Sequence, residues 1–299
     1  LKATLLLSKK VQSLILYFPD EFKVPSSVLL SKERRAKVPF EQFHNLLQEL
    51  TDACEKKGFP FAEIKLQNIL QEKTTLWADL AIEKGSQRNM DKVVLMGYTK
   101  FPKKFLKHHL HISPKTSFAK ERLHAASEAL KTLNFAKEIK PPETLFVKDS
   151  THVYLYLKER HANRVDALLG FTSDENTQKL QFNGYIDLEL TNRFHQGETL
   201  SLFWSNNGNQ QEQFRLKTHF PYLFNSPISQ KMEFEIYKQD SSFVNIKGET
   251  VFDYHINYRQ KIGISASTES SERNSTKNES TNTRSFTSHF YGLQYDYLL

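Results

Sequence analysis

The 299-residue chain has one cysteine, two tryptophans and no long hydrophobic run. Its longest apolar stretches, such as residues 14–18, have the length of a strand, far below the ~20 residues that a membrane-spanning helix needs. The single Cys54 excludes a disulfide framework and a cysteine-based zinc site. A helical membrane protein and a disulfide-stapled secreted domain are therefore excluded.

Sequence signatures of catalysis are also missing. The chain has no G-x-S-x-G, no P-loop and no H-E-x-x-H motif, so we predict no catalytic, cofactor-binding or metal-binding residues. His108 and His111 have metal-ligand spacing, but with no carboxylate beside them a basic amphipathic surface is the favoured interpretation. No RNP-like or glycine-rich signature accompanies the basic residues, so we predict no nucleic-acid partner. Residue 1 is Leu, and we expect a processed N-terminus or an internal piece of a longer chain.

Charge divides the chain into two parts near residue 160. Up to that point there are 28 Lys and Arg against 18 Asp and Glu, a net +10, and the remainder carries −3. Aromatic residues make up 12% of the chain, which is too many for a disordered protein. The charge break predicts a domain boundary.

The first 160 residues alternate strand and helix patterns in an order that we interpret as β-α-α-β-β, twice in tandem. Residues 11–18 and 92–98 open the two units as strands, and residues 40–57 and 118–133 have helical periodicity. Residues 103–110 predict a short helix. Pairs of strands close the units, at 61–70 and 75–83 in the first and at 144–147 and 152–157 in the second. Cys54 lies next to the apolar face of its helix and is predicted to be a small core residue.

After residue 164 the helical period disappears and about eight alternating strands follow. Polar connections rich in Asn and Ser are predicted at 173–178, 206–211, 239–248 and 270–283. They alternate with shorter connections at 191–197, 221–229 and 257–261. An outer-membrane β-barrel has this arrangement, with an apolar face toward lipid and a charged face toward a wet lumen.

Alternation alone also fits a soluble sandwich or a lipocalin-like barrel. Two features favour the membrane barrel. Ionised groups occupy one face of several consecutive strands, which a dry core does not tolerate. Aromatic residues also fall near strand ends, as in interfacial girdles: Tyr185, Phe194, Trp204, Phe220, Tyr222, Phe224 and Tyr237.

The ordered series of elements resembles the BamA/TamA-type superfamily of outer-membrane assembly and translocation proteins. Residues 57–62 (KGFPFA) are similar to the family's turn after a POTRA-domain helix, and residues 76–85 (LWADLAIEKG) to its closing strand. Residues 184–197 (GYIDLELTNRFHQG) resemble the second barrel strand and its following turn. The resemblance implies two POTRA-like α+β domains, 1–88 and 89–160, followed by an antiparallel transmembrane β-barrel from 161 to 299.

The chain also departs from the family's pattern. The family's barrel has sixteen strands, whereas about eight are predicted here, and the family's Arg-Gly-Phe loop motif is absent. We therefore expect the N-terminal part of a longer protein with an incomplete barrel.

The resemblance implies a non-enzymatic insertion or translocation factor in the outer membrane of a Gram-negative bacterium, with its N-terminal half in the periplasm. Its partners are unfolded outer-membrane protein clients, accessory periplasmic or lipoprotein subunits and outer-membrane lipid, and it uses no cofactor. The family's first barrel strand is a lateral gate for client strands, which places the candidate site at Val165, Asp166, Ala167, Leu168, Leu169, Gly170 and Phe171.

Two other classes remain open. One is a soluble or peripheral module whose β-sandwich binds a peptide or a glycan. The other is an enzyme acting on a surface polymer, for which the sequence offers no defensible set of residues.

Overall fold

The computed structural model describes residues 10–20, 31, 33–173, 180–208, 211–239, 243–273 and 285–298. The chain divides into two compact units. The first consists of Leu1–Val93, Pro114–His124 and Thr144–Val153, and the second of Val94–Ser113, Ala125–Glu143 and Tyr154–Leu299. Within the described residues, no helix combines the length and the apolar character required to cross a membrane.

The N-terminal elements form a four-stranded mixed sheet covered by one helix. They are β1 (Ser13–Tyr17), β2 (Arg35–Pro39), α1 (Phe40–Lys56), β3 (Glu63–Glu72) and β4 (Thr75–Glu83). The strand order is β2-β1-β4-β3, and only the β1–β4 pair is parallel. The core contains Leu14, Leu16 and Phe18 of the sheet with Leu46 and Leu50 of α1. The predicted helix is confirmed, and Cys54 is buried on it as predicted.

The predicted β-α-α-β-β order is wrong for this first unit. The described residues contain one helix, α1, and the strand β2 precedes it, which gives β-β-α-β-β. Strand β2 has only two core side chains, Ala36 and Val38, opposite Leu16 and Leu14 of β1. Arg35 and Lys37 alternate with them, but two apolar side chains in five residues are too few to predict a strand.

The next elements follow the predicted order. They are β5 (Asn89–Met90), β6 (Lys92–Gly97), α2 (Lys103–His108), β7 (Thr116–Ser117), α3 (Lys120–Lys131), β8 (Ala136–Val147) and β9 (Ser150–Glu159). Strands β6, β9 and β8 form a sheet in that order, and β5 pairs with β7. Strand β8 begins eight residues earlier than the predicted 144–147 and includes Pro141 and Pro142. Prolines are tolerated there because β8 is at the edge of its sheet.

The remaining strands form one eight-stranded antiparallel meander in sequential order. They are β10 (Arg164–Ser173), β11 (Leu180–Thr191), β12 (Thr199–Asn206), β13 (Gln211–Phe220), β14 (Ile228–Gln239), β15 (Phe243–His255), β16 (Gln260–Arg273) and β17 (Phe286–Tyr297). The predicted strand number is confirmed. Strand β10 is ten residues long, whereas the sequence predicted a short strand of seven residues, 165–171.

The meander is an open sheet rather than a closed barrel. In the part of the chain that the structure describes, β10 pairs only with β11 and β17 only with β16. Residues 174–179, 209–210 and 274–284 lie outside the described residues. They include most of the predicted connections 173–178 and 270–283 and the middle of the predicted connection 206–211. The predicted connection 239–248 is partly wrong, since residues 243–248 belong to β15.

Candidate functional site

The eight-stranded sheet has one apolar face, which is shown by the strand register. Val165, Leu188, Leu202, Leu216 and Phe234 stand opposite one another on five consecutive strands. Directly paired residues point to the same side of a sheet, so this row belongs to one face. Large side chains of this face remain exposed, among them Phe171 (72%), Phe182, Met232, Tyr254, Ile264, Tyr291 (85%) and Leu293 (86%).

The opposite face is charged and connected by ion pairs between neighbouring strands. Arg215 of β13 lies 3.4 Å from Glu235 of β14, and Lys217 lies 3.1 Å from Glu233. At one end of this face, Asp253 accepts from Lys231 and Lys261, both at 3.1 Å.

Burial on the two faces is the reverse of that in a soluble sheet. Within the described residues, every buried position of the eight strands lies on the charged face: Thr191, Ser229, Val251, Asp253 and Gly263. Asp253 is 1% exposed. A water-soluble protein buries its apolar face and solvates its charges, so this sheet suits an apolar surrounding.

The candidate gate residues lie on β10, at one edge of the sheet. Val165, Ala167, Leu169 and Phe171 belong to the apolar face, and Asp166, Leu168 and Gly170 to the charged face. Val165, Leu168, Leu169 and Phe171 are each more than 60% exposed. A strand with one free edge offers backbone N–H and C=O groups to another strand. The geometry suits the role, which stays a prediction.

Close approach between β10 and β11 depends on glycine. Gly184 of β11 faces Leu169 and has φ +143°, and a Cβ atom at this position would collide with the carbonyl oxygen of Leu168. Only glycine accepts this backbone without strain. The pairing that positions the edge strand therefore relies on a residue outside the predicted site.

A buried polar junction lies between α2 and the turn from β13 to β14. The side chain of Lys104 donates to the carbonyl of Pro221 at 2.6 Å, and the ring of Phe105 packs edge-on against Tyr222 at 4.9 Å. Burial raises the pKa of Tyr222, so its hydroxyl keeps the proton that it donates to His109. No local sequence pattern predicts this junction, because its partners are more than 100 residues apart.

The predicted aromatic girdle is only partly correct. Tyr222 is 1% exposed and belongs to the junction. Tyr185 and Tyr237 lie on the charged face, since the neighbouring Ile186 and Ile236 occupy the apolar face. Trp204 and Phe220 are on the apolar face, while Phe194 and Phe224 are exposed on turns. Counting strand parity from Ile186 would have placed Tyr185 correctly.

One member of the predicted histidine pair, His108, contacts the turn from β13 to β14. His108 Nε2 lies 2.6 Å from the carbonyl oxygen of Asn225. Among the residues whose positions are described, no three His, Cys, Asp or Glu side chains form a metal-binding group.

Comparison with known proteins gives the fold. No protein-family model and no curated protein matches the chain. Among solved structures, it is similar to BamA from Haemophilus ducreyi lacking POTRA domains 1-3, with a TM-score of 0.52 and 13% identity over 97% of this chain and 59% of that one. It is also similar to CdiB from Acinetobacter baumannii, with a TM-score of 0.51 and 14% identity over 98% of this chain and 60% of that one.

These similarities concern the fold and part of the longer chains. The chain spans about 60% of the length of the solved structures that it matches. Its eight-stranded antiparallel sheet corresponds to the barrel fold of those proteins. The eight-stranded sheet of this chain therefore has the fold of part of the BamA and CdiB barrels.

Proposed function

We propose that this chain is part of an outer-membrane insertion or translocation factor of the BamA/TamA type. The eight-stranded sheet lies in the membrane as part of a barrel, and the POTRA-like regions 1–88 and 89–160 lie in the periplasm. The observation that carries the proposal is the reversed burial of the sheet, with exposed Phe171 and Tyr291 on one face and buried Asp253 on the other. The fold shared with BamA and CdiB supports it.

The proposed chemistry is strand pairing rather than covalent catalysis. A client strand adds to the free edge of β10 through backbone hydrogen bonds, while its apolar side chains enter lipid. Backbone pairing tolerates many side chains, so one edge serves many unfolded clients. The proposed partners are outer-membrane protein clients, accessory periplasmic or lipoprotein subunits and lipid, with no cofactor.

The alternative is a soluble binding module with a β-sandwich. A sandwich requires a second layer over the apolar face. In the part of the chain that the structure describes, Tyr291 and Leu293 remain more than 80% exposed, so no such layer covers this region. Partition of the native protein during an alkaline, high-salt wash separates the two functions. Release into the supernatant contradicts membrane embedding.

Photo-crosslinking tests the role of β10. A photoreactive residue at Leu169 is expected to capture client chains during assembly, because this position lies on the free edge. The matched control is Leu202, on the same face but in β12, which is paired on both sides. Equal capture at both positions contradicts the proposal.

Proline substitutions provide a second test of the free edge. Successive N–H groups of a strand point in opposite directions, so one of Leu169 and Gly170 directs its N–H toward β11 and the other toward the open side. Leu169→Pro and Gly170→Pro therefore each remove a different hydrogen bond. We expect the outward-directed position to block client insertion while the β10–β11 pairing is preserved. Normal insertion by both variants contradicts the gate.

A further inference from the structure

Three consecutive turns at one end of the sheet each expose an apolar side chain. Phe194 between β11 and β12 is 76% exposed, Phe224 between β13 and β14 is 98% exposed, and Ile256 between β15 and β16 is 50% exposed. In a sequential meander every second connection lies at the same end of the sheet, so these three turns are neighbours there. Repeated exposure of large apolar side chains at one end of a fold marks an interaction surface.

The first turn is built to hold Phe194 outward. Glu198 is only 4% exposed, and its carboxylate accepts from the backbone N–H groups of Phe194 and Gln196 at 2.6 and 3.0 Å. Asn192 accepts from the N–H of Gly197 at 2.7 Å. These buried contacts fix the backbone of the turn, which holds the side chain of Phe194 toward the outside.

The second turn holds Phe224 outward in a strained backbone. Tyr222, Phe224 and Asn225 all have positive φ angles, between 51° and 57°. Such angles are unfavourable for bulky side chains and persist only where the surroundings impose them. Here Tyr222 is anchored on His109 and Lys104 binds the carbonyl of Pro221. Within this one turn, the anchored Tyr222 therefore points inward and Phe224 points outward.

The chain segment that packs on these turns is strongly basic. Residues 94–113 contain four lysines and no aspartate or glutamate. Lys100, Lys103 and Lys107 are exposed, and within the described residues none of them forms an ion pair. Arg193 and Arg259 are exposed on the first and third turns. Exposed cations therefore lie on two of the three turns and on the helix that contacts the second turn.

We propose that this turn-end surface, made of Phe194, Phe224, Ile256, Lys103 and Lys107, binds the anionic phosphate headgroups of a phospholipid bilayer. The apolar tips enter the interfacial layer and the lysines contact phosphates, a combination typical of membrane-surface segments. The inference rests on the proposed function. The exposed apolar face continues to this end of the sheet through Phe220, Ile228 and Tyr254, so the two surfaces are contiguous.

The test uses the full chain in vesicles with a fluorophore at position 224. Cys54→Ala and Phe224→Cys give a single labelling site. Vesicles consist of phosphatidylcholine alone or mixed with about 30% phosphatidylglycerol, both containing a headgroup-level nitroxide quencher. We expect quenching at position 224 to be stronger in the anionic than in the neutral vesicles, and we call this difference the anionic-lipid increment. It should disappear in about 1 M salt, where the Debye length is only about 3 Å.

Charge variants identify the surface. Lys103→Gln with Lys107→Gln should remove most of the anionic-lipid increment. The matched control is Lys137→Gln with Lys158→Gln, which removes two exposed lysines from β8 and β9 and should leave the increment unchanged. The proposal is overturned if both double variants lose the same share of the anionic-lipid increment. It is also overturned if the probe stays unquenched although the sheet is inserted. Either result favours a protein partner for this surface.

Failure of membrane insertion is measured separately, by protease protection of the sheet. If the sheet does not insert, the proposed function fails while the present inference is still tested by vesicle flotation. Flotation with anionic but not with neutral vesicles then supports the proposed surface. The variant that lacks Lys103 and Lys107 should bind the anionic vesicles about 30-fold more weakly, because each lysine near such a membrane strengthens binding about fivefold. Absence of flotation as well overturns it.

Discussion

The hydroxyl of Tyr222 donates a hydrogen bond of 2.9 Å to Nδ1 of His109, from the β13–β14 turn to the residue after helix α2. The other ring nitrogen of His109, Nε2, lies 3.0 Å from the carbonyl oxygen of Ala129, which can only accept. The proton of the neutral imidazole is therefore on Nε2, and Nδ1 is the acceptor. This pair joins the helical part of the second compact unit to the turn that presents Phe224.

Replacing Tyr222 by Phe is expected to destabilise this junction. The ring contact with Phe105 is retained, but Nδ1 of the buried His109 loses its donor. An unsatisfied buried acceptor costs about 1–3 kcal/mol, and we expect the free energy of unfolding to fall by this amount. Chemical unfolding in detergent measures it. Tyr254→Phe, at a half-exposed position of the apolar face, is the control and should change little.

The junction should also weaken in acid. The pKa of His109 is lowered from an ordinary value of 6.5 to about 4, chiefly by burial and to a smaller extent by the neighbouring His255 and His111. Between these values the unfolded chain binds more protons than the folded one, so stability is complete above pH 6.5 and is lost as the pH falls toward 4. The steepest loss is about 1.4 kcal/mol per pH unit.

The measurement is the unfolding midpoint as a function of pH, for the native chain and for His109→Gln. The Gln variant keeps a hydrogen-bonding side chain that does not titrate. Its stability should be lower at neutral pH but flatter between pH 6.5 and 4. Identical slopes in the two proteins would show that other groups cause the acid sensitivity.

An arginine at Leu188 should hinder membrane insertion. Leu188 belongs to the apolar row and pairs with Val165 on one side and Leu202 on the other. A lipid-facing arginine near the bilayer midplane costs about 2–4 kcal/mol. The control is Ser201→Arg, which places the same side chain on the charged face opposite Glu189. Refolding yield into vesicles should fall for Leu188→Arg only, and a stronger defect for Ser201→Arg would reverse the assignment of the two faces.

Asp253→Asn tests the ion network of the charged face. Its carboxylate accepts from Lys231 and Lys261 and, through Oδ1, from Gln294. The amide leaves two ammonium groups without their shared counter-charge. We expect a loss of about 2–3 kcal/mol, below the about 3–5 kcal/mol for a fully buried pair because both lysines are partly exposed. The control is Glu249→Gln, because the carboxylate of Glu249 forms a longer and weaker ion pair with Lys247, at 3.8 Å. Its unfolding midpoint should shift much less.

Much of the fold was predictable because its signals are local. The two-residue period assigns side chains to the faces of each strand, and all eight strands of the meander were found from it. The helix α1 was found from the spacing of Leu46 and Leu50, which both reach the core. Strand β2 was missed, because two small apolar residues between charged ones do not specify a structure without their partner β1.

The sequence by itself determined that the second half has alternating strands with an apolar and a charged side. The tertiary structure decided which side is enclosed, because burial of Asp253 depends on Lys231, Lys261 and Gln294 from three other strands. It also decided that Tyr222 points inward while Phe224 points outward, two residues apart in one turn. That choice depends on His109, more than 100 residues away, and local periodicity contains no information about such a contact.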